Sequence, residues 1–232
     1  MKNLIILSGL VFFGLLGVKA QELREISRSP IKRELREDML LLNFNWNTML
    51  NGPDSLTIEP YSWGFDLQVM YDIPIQKSNF SFAAGGGLGI SNFYTNSQIG
   101  HIHVGTDSTE SKFYPISDSL NISRNKLTVT YADIPFELRY RSNPDKYGYS
   151  WKIALGAKVG YHLQTRSKVI QDSKKYKTYD YPNYEKWRYG VSMRVAYGRV
   201  GVSAFYSLTG LFDEGKGDLI NPLSLGITLM PF

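Results

Sequence analysis

The stretch YSWGFDLQVMYDI, residues 61–73, decides the fold. Tyr61, Trp63, Phe65, Leu67, Val69, Tyr71 and Ile73 occupy the odd positions, and Ser62, Gly64, Asp66, Gln68 and Asp72 the even ones, with Met70 the one apolar residue among them. Strict alternation gives a β-strand with one apolar and one polar face. Thirteen residues exceed the usual strand of about 5–6 and suit a tilted membrane-crossing strand of about 9–11. The apolar face is graded, with aromatic rings at both ends and Leu67 and Val69 between them. A lipid-facing strand has this distribution, with rings at the two interfaces and aliphatic side chains in the hydrocarbon.

Seven other segments fit the same template. Residues 40–50 set Leu40, Leu42, Phe44 and Trp46 against Asn43, Asn45 and Asn47; residues 80–94 set Phe80, Phe82, Ala84, Leu88 and Ile90 against a face made almost entirely of Gly, Ala and Ser. Residues 149–164 and 187–197 repeat the graded pattern, and 200–208 and 223–232 complete the set. Residues 127–141 begin with Leu127, Val129 and Tyr131 on one face, after which Ile134, Phe136, Leu138 and Tyr140 fall on the other. That switch predicts a parity change around Asp133, with a β-bulge beside Pro135, where a proline is tolerated.

The connections alternate in length. Residues 74–79, 142–148 and 198–199 are brief, whereas 51–60, 95–126, 165–186 and 209–222 are longer and are expected to be loops. Placing every brief turn in the periplasm and every long loop outside reproduces the asymmetry of outer-membrane barrels. A soluble lipocalin-like barrel has the same strand number but gives no reason for aromatic girdles or for regular loop alternation. The expected fold is therefore all-β: an eight-stranded antiparallel transmembrane β-barrel, an up-and-down meander over residues 39–232.

Residues 1–20 read as a signal peptide, with Lys2, an apolar run from Leu4 to Val18 and the small-residue site Val18-Lys19-Ala20. Residues 21–38 form a charged stretch expected in the periplasm, as a tether or a short docking helix. The chain has no cysteine, which excludes disulfides, thiolate chemistry and a lipoprotein anchor. The formal net charge of +5 is spread along the chain without a nucleic-acid module, so its expected partner is anionic lipid, including lipopolysaccharide.

A barrel of eight strands is filled by side chains rather than open. The residues expected to point inward are Asp66, Gln68, Asp72, Glu137, Arg139, Lys152, Lys158, His162, Arg188 and Arg194. Buried charges persist only when paired, so these predict a cross-lumen polar network, with the glycine face of residues 80–94 making room for long Arg and Lys side chains.

Three histidines are the candidates for catalysis. His101 and His103, near Asp107, Ser108 and Glu110, have a spacing compatible with a metal or an acyl hydrolase but specific to neither. His162 near a strand end leaves open a lipid-modifying barrel enzyme. No enzyme activity, cofactor, metal or catalytic residue is expected. In SKVIQDSKKYKTYDYPNYEKW, residues 167–187, Lys168, Lys174, Lys175 and Lys177 interleave with Tyr176, Tyr179, Tyr181 and Tyr184. Lysines of this kind pair with lipid phosphates and tyrosines make adaptable contact surface, which marks Lys174, Lys175, Tyr176, Lys177, Tyr179 and Tyr181 as a partner surface.

The segment YADIPFELRYR, residues 131–141, resembles a Tyr-Leu-Glu-Ile-Pro-Leu-x-x-Lys-Tyr motif of the small outer-membrane β-barrel family of Bacteroidota, often labelled PorT-like. MYDIPIQKSNFSFAAGGGLGISN and WKIALGAKVGYHL are similar to its second hairpin and fifth strand. The resemblance implies an eight-stranded outer-membrane barrel and, for some members, a structural part in type IX secretion among the subunits of an envelope complex. A surface adhesin or ligand-binding barrel acting through residues 95–126 and 165–186 stays open beside it.

Overall fold

The computed structural model describes residues 39–75, 78–104, 108–117, 122–172, 174–179 and 181–231. The expected signal peptide and charged segment, residues 1–38, lie outside the described residues. In chain order the strands are β1 (Leu40–Leu50), β2 (Trp63–Pro74), β3 (Phe80–Tyr94), β4 (Ser97–Val104), β5 (Ser108–Pro115), β6 (Ile122–Arg141), β7 (Trp151–Gln171), β8 (Lys174–Tyr179), β9 (Trp187–Tyr197), β10 (Val200–Ser207) and β11 (Asn221–Leu229). One antiparallel sheet runs β6-β3-β2-β1-β11-β10-β9-β7-β8, and a further pairing of β6 with β7 closes eight of these strands into a barrel, leaving β8 attached to β7 outside the ring. Among the described residues no helix is long and apolar enough to cross a membrane.

The outer surface is the apolar face anticipated for each strand. Trp63, Val69 and Tyr71 of β2, Phe80 and Leu88 of β3, Ile134 and Leu138 of β6, Trp151 and Leu155 of β7 and Met193 of β9 are all exposed. Aromatic pairs flank this belt at both ends: Tyr161 against Trp187 and Tyr61 against Tyr94 at one, Phe80 against Tyr140 and Trp151 against Tyr197 at the other. A surface this greasy has no water-compatible explanation on a monomer.

Strand β6 departs from expectation. Its parity does not change: Leu127, Val129 and Tyr131 are buried on the same face as Asp133, Glu137 and Arg139. The lining changes from apolar to charged while the strand keeps its register against β3. The bulge lies instead in β7, where Thr130 faces Gln164 and Tyr131 faces His162, leaving Leu163 as the extra residue. Pro135 sits where the β3–β6 ladder lacks bridges, opposite Gly85 and Gly86, as a residue without an N–H requires.

Two of the long connections are not irregular loops. β4 and β5 form a hairpin within residues 95–126, and β7 continues past the bulge to Gln171, turns at Asp172 with φ of 48° and returns as β8. Their polar, lysine-rich sequence hides the alternation because neither face of these segments enters the apolar belt.

The short turns gather at the opposite end. Gly198 takes a φ of 61° in the two-residue turn between β9 and β10, a conformation cheap only for glycine. In the β6–β7 turn, Asp145 accepts hydrogen bonds from the Tyr197 hydroxyl and from the backbone amides of Tyr147 and Tyr149. The Tyr197 hydroxyl, aided by these amides, holds the Asp145 carboxyl below its ordinary value. A depressed carboxylate stabilises the fold above its unfolded pKa and loses that contribution as pH falls through the folded value. Amide protection over residues 145–149, the exchange rate relative to the intrinsic rate at each pH, is therefore expected to be unchanged between neutrality and pH 5 and to be lost only in the acid range, with Asp145→Asn poorly protected at every pH.

Candidate functional site: a closed interior

The inward positions of all eight ring strands converge on a layered interior. Nearest the short turns, Asp72 of β2 accepts from Ser81 at 3.0 Å and pairs with Arg139 at 3.4 Å and Arg141 at 3.9 Å. One step further in, Glu137 of β6 holds Arg139 at 2.8 Å along its own strand and Arg194 of β9 at 2.6 Å. Above it, Asp133 accepts both contacts of the Arg188 Nη2, at 2.7 and 2.9 Å. Lys158 of β7 lies between Asp133 at 3.8 Å and Asp66 of β2 at 3.5 Å, and Asp66 also accepts from Asn45. The Arg188 guanidinium stands 3.8 Å from the Tyr131 ring centre and 4.9 Å from that of Phe205.

Of the residues expected inside, Asp66, Gln68, Glu137, Arg139, Lys152, Lys158, Arg188 and Arg194 are buried, and the Asp72 side chain is 4% exposed. Lys152 lies beside Arg139, Arg141, Arg194 and Met230 at the short-turn end. Asp133, Asn43 and Thr228 belong to the same interior, with Thr228 donating to Asn43 at 2.7 Å. Sequence reasoning passed over Asp133 because the expected parity change put it at the pivot; unbroken alternation from Leu127 to Arg139 was the signal that could have found it.

On β3 it is the acids, not the bases, that Gly89 makes room for. A Cβ at Gly89 would stand 2.7 Å from an Asp66 carboxylate oxygen and 3.0 Å from one of Asp133, and at Gly160 2.4 Å from the other Asp133 oxygen. Gly85 and Gly87 clear space for Met70 and Gln68 in the same way. Long Arg and Lys side chains reach across the lumen by their own length, whereas a carboxylate needs the wall itself to recede.

Apolar clusters close both ends. At the long-connection end Phe93, Leu127, Val129 and Tyr131 of the barrel pack with Phe113 of β5 and with Tyr184, Leu211, Phe212 and Ile220 from the connections. At the short-turn end Leu41, Met70, Ala83, Ala196 and Met230 form a second cluster. Met70, the one break in the alternation of residues 61–73, is thus explained: it is part of this plug. Between the two lies a cavity of about 30 Å³ lined by Asp66, Glu137, Lys158 and Arg194 among others, space for about two water molecules.

The connections above the cap are tied together. Ser111 donates its amide to Lys216, Asp218 accepts from the Phe113 amide, and Asn183 donates to the Thr109 carbonyl at 2.7 Å. The result is a hydrogen-bonded head over the barrel mouth. His162 is part of the packing beneath it, with its ring 4.5 Å from Tyr184 and Nε2 at 2.7 Å from the Thr165 hydroxyl. The side chains of His101 and His103 lie outside the described residues, and among the described residues no cluster of His, Asp and Glu is arranged to hold a metal. Lys174, Lys175, Tyr176, Lys177 and Tyr179 all lie on β8, exposed along its whole length, while Tyr181 packs partly buried against the cap.

A model of the outer membrane protein beta-barrel domain matches residues 20–214. No curated protein matches the chain. With an eight-stranded closed ring, an apolar belt and a match over most of its length, the chain belongs to the outer membrane protein beta-barrel domain family and is a protein of the outer membrane.

Proposed function

We propose that this chain is a non-conducting barrel that serves as a structural or partner-binding component of the cell envelope, with its periplasmic N-terminus and short turns on one side and the tied head outside. The observation that carries this reading is the interior: a paired ionic band between two apolar plugs. A pore needs continuous water, and a lumen filled by cross-paired charges and packed apolar clusters is the opposite arrangement. The orientation is supported by the three short turns at one end and the long connections at the other.

The resemblance of residues 131–141 to the PorT-like family extends the reading to a subunit of an envelope secretion complex of the type IX kind. Mild-detergent purification from the native membrane tests it. Stoichiometric co-purification of secretion components supports the assembly role; recovery of the barrel alone, with lipid, overturns it. In planar bilayers the purified chain is expected to show no steady conductance, and unitary currents of the size of a water-filled pore would refute the closed interior.

Ligand binding through the head is the second reading, favoured by the row of exposed lysines and tyrosines on β8. Deleting residues 172–181 would abolish adhesion and leave a periplasmic docking role intact.

A further inference from the structure

The outward face of β6, β7 and β8 above the apolar belt carries a basic patch built by strand register. Lys126 of β6 faces Lys168 of β7, which faces Lys177 of β8. The row below is Thr128, Arg166 and Tyr179, and the row above is Arg124, Ile170 and Lys175. Six cations thus share one face with Thr128, Thr130, Gln164, Ile170 and Tyr179, and no carboxylate is among these residues.

Like charges directly opposite one another across strands destabilise a sheet. Lys126 shows the crowding: burial first, then the charges of Arg166, Lys168 and Arg124, push its ammonium below the ordinary lysine range. Its Nζ donates to Asn92 at 3.0 Å and stands 5.9 Å from the Tyr94 ring centre, two neutral partners that bring no negative charge. Lysines are common on sheet edges as a guard against aggregation, which covers Lys175 and Lys177 on the edge strand β8. It does not cover Lys126 or Lys168, each flanked by strands on both sides.

The height of the patch identifies what it meets. Along the outer face of β6 the lipid-facing residues run Tyr140, Leu138, Phe136, Ile134 and Ala132. At about 3.3 Å per residue and a tilt of about 40°, an apolar belt of about 25 Å ends near Thr130. The Arg166 row then lies about 5 Å above that edge, the Lys126 row about 10 Å and the Arg124 row about 15 Å. A phospholipid interface is only about 5–7 Å thick on each side. Three rows of cations over such a height fit a thicker headgroup.

We propose that this face binds the phosphorylated saccharide headgroup of an outer-leaflet glycolipid, with Arg166, Lys126, Lys168 and Lys177 pairing with its phosphates. The assignment to the outer leaflet rests on the orientation proposed above; the binding chemistry does not.

The test uses the full-length barrel purified in a zwitterionic detergent, with bisphosphorylated lipid A as the probe. Binding by the K126Q/K168Q/K177Q variant is expected to fall on the order of a hundredfold, while lipid A stripped of both phosphates binds wild type and variant equally weakly. Without lipid, the variant is expected to melt at or above the wild-type temperature, because the opposed charges are gone; this separates loss of binding from loss of folding. Added bisphosphorylated lipid A should then stabilise only the wild type. Equal binding by the two proteins, or a wild type that binds inorganic polyphosphate as tightly as the lipid, overturns the proposal. Since the assay does not depend on insertion direction, it can fail without the envelope role failing, and the reverse.

Discussion

Glu137→Ala is expected to lower the unfolding free energy of the barrel by about 3–5 kcal/mol, the cost of leaving a buried charge without its partner. The carboxylate lies between Arg139 at 2.8 Å and Arg194 at 2.6 Å, with all three side chains under 10% exposed. Arg139 keeps a second carboxylate, Asp72, at 3.4 Å. The loss therefore falls mainly on Arg194, whose guanidinium would stay inside the lumen without an acid. Urea titration of the refolded barrel in micelles, followed by tryptophan fluorescence, measures the effect. Adding Arg194→Met to Glu137→Leu should recover most of it, because a matched apolar pair removes both desolvated charges together. If the single substitution shifts stability by less than about 0.5 kcal/mol, water reaches Arg194 and the interior is not closed.

Phe93→Ala should cost a comparable amount, about 3–5 kcal/mol, for a different reason. Phe93 is 1% exposed and packs within the cap that joins barrel wall to connections. Truncation leaves a cavity that the surrounding strands cannot collapse into, because their spacing is held by the ladder. The lost contacts belong to both partners, so the head should loosen with the barrel. Hydrogen exchange is the measurement: the amides of Ser111, bonded to Lys216, and of Leu211, bonded to Ile220, should exchange faster in the variant. An equal loss of stability with these two amides still protected would mean that the head is held by its own hydrogen bonds and not by the cap.

The two substitutions probe layers of very different legibility. The ionic layer was readable because a strand's period of two assigns each charged residue to a face, and a charge on the face opposite Trp63, Leu67 and Val69 has only the lumen to enter. The apolar cap was misread for the same reason. Leu127, Val129 and Tyr131 are greasy, and in a membrane barrel greasy residues read first as lipid-facing, so the pattern predicts a parity change where the strand runs straight. Nothing local distinguishes a leucine facing lipid from one facing a plug.

Residues 61–73 and their seven counterparts, by alternation alone, determined the eight strands of the ring, the belt and the membrane as solvent, since those depend on period and length. Tertiary structure decided what a period cannot carry. It showed that β6 and β7 rise past the belt, that Asp66 and Asp133 occupy the space over Gly89, and that the connections descend to seal the mouth. It also aligned Lys126, Lys168 and Lys177 in one row. Each of these depends on which residues of distant strands stand opposite one another, and register is set by closure of the ring rather than by any single strand.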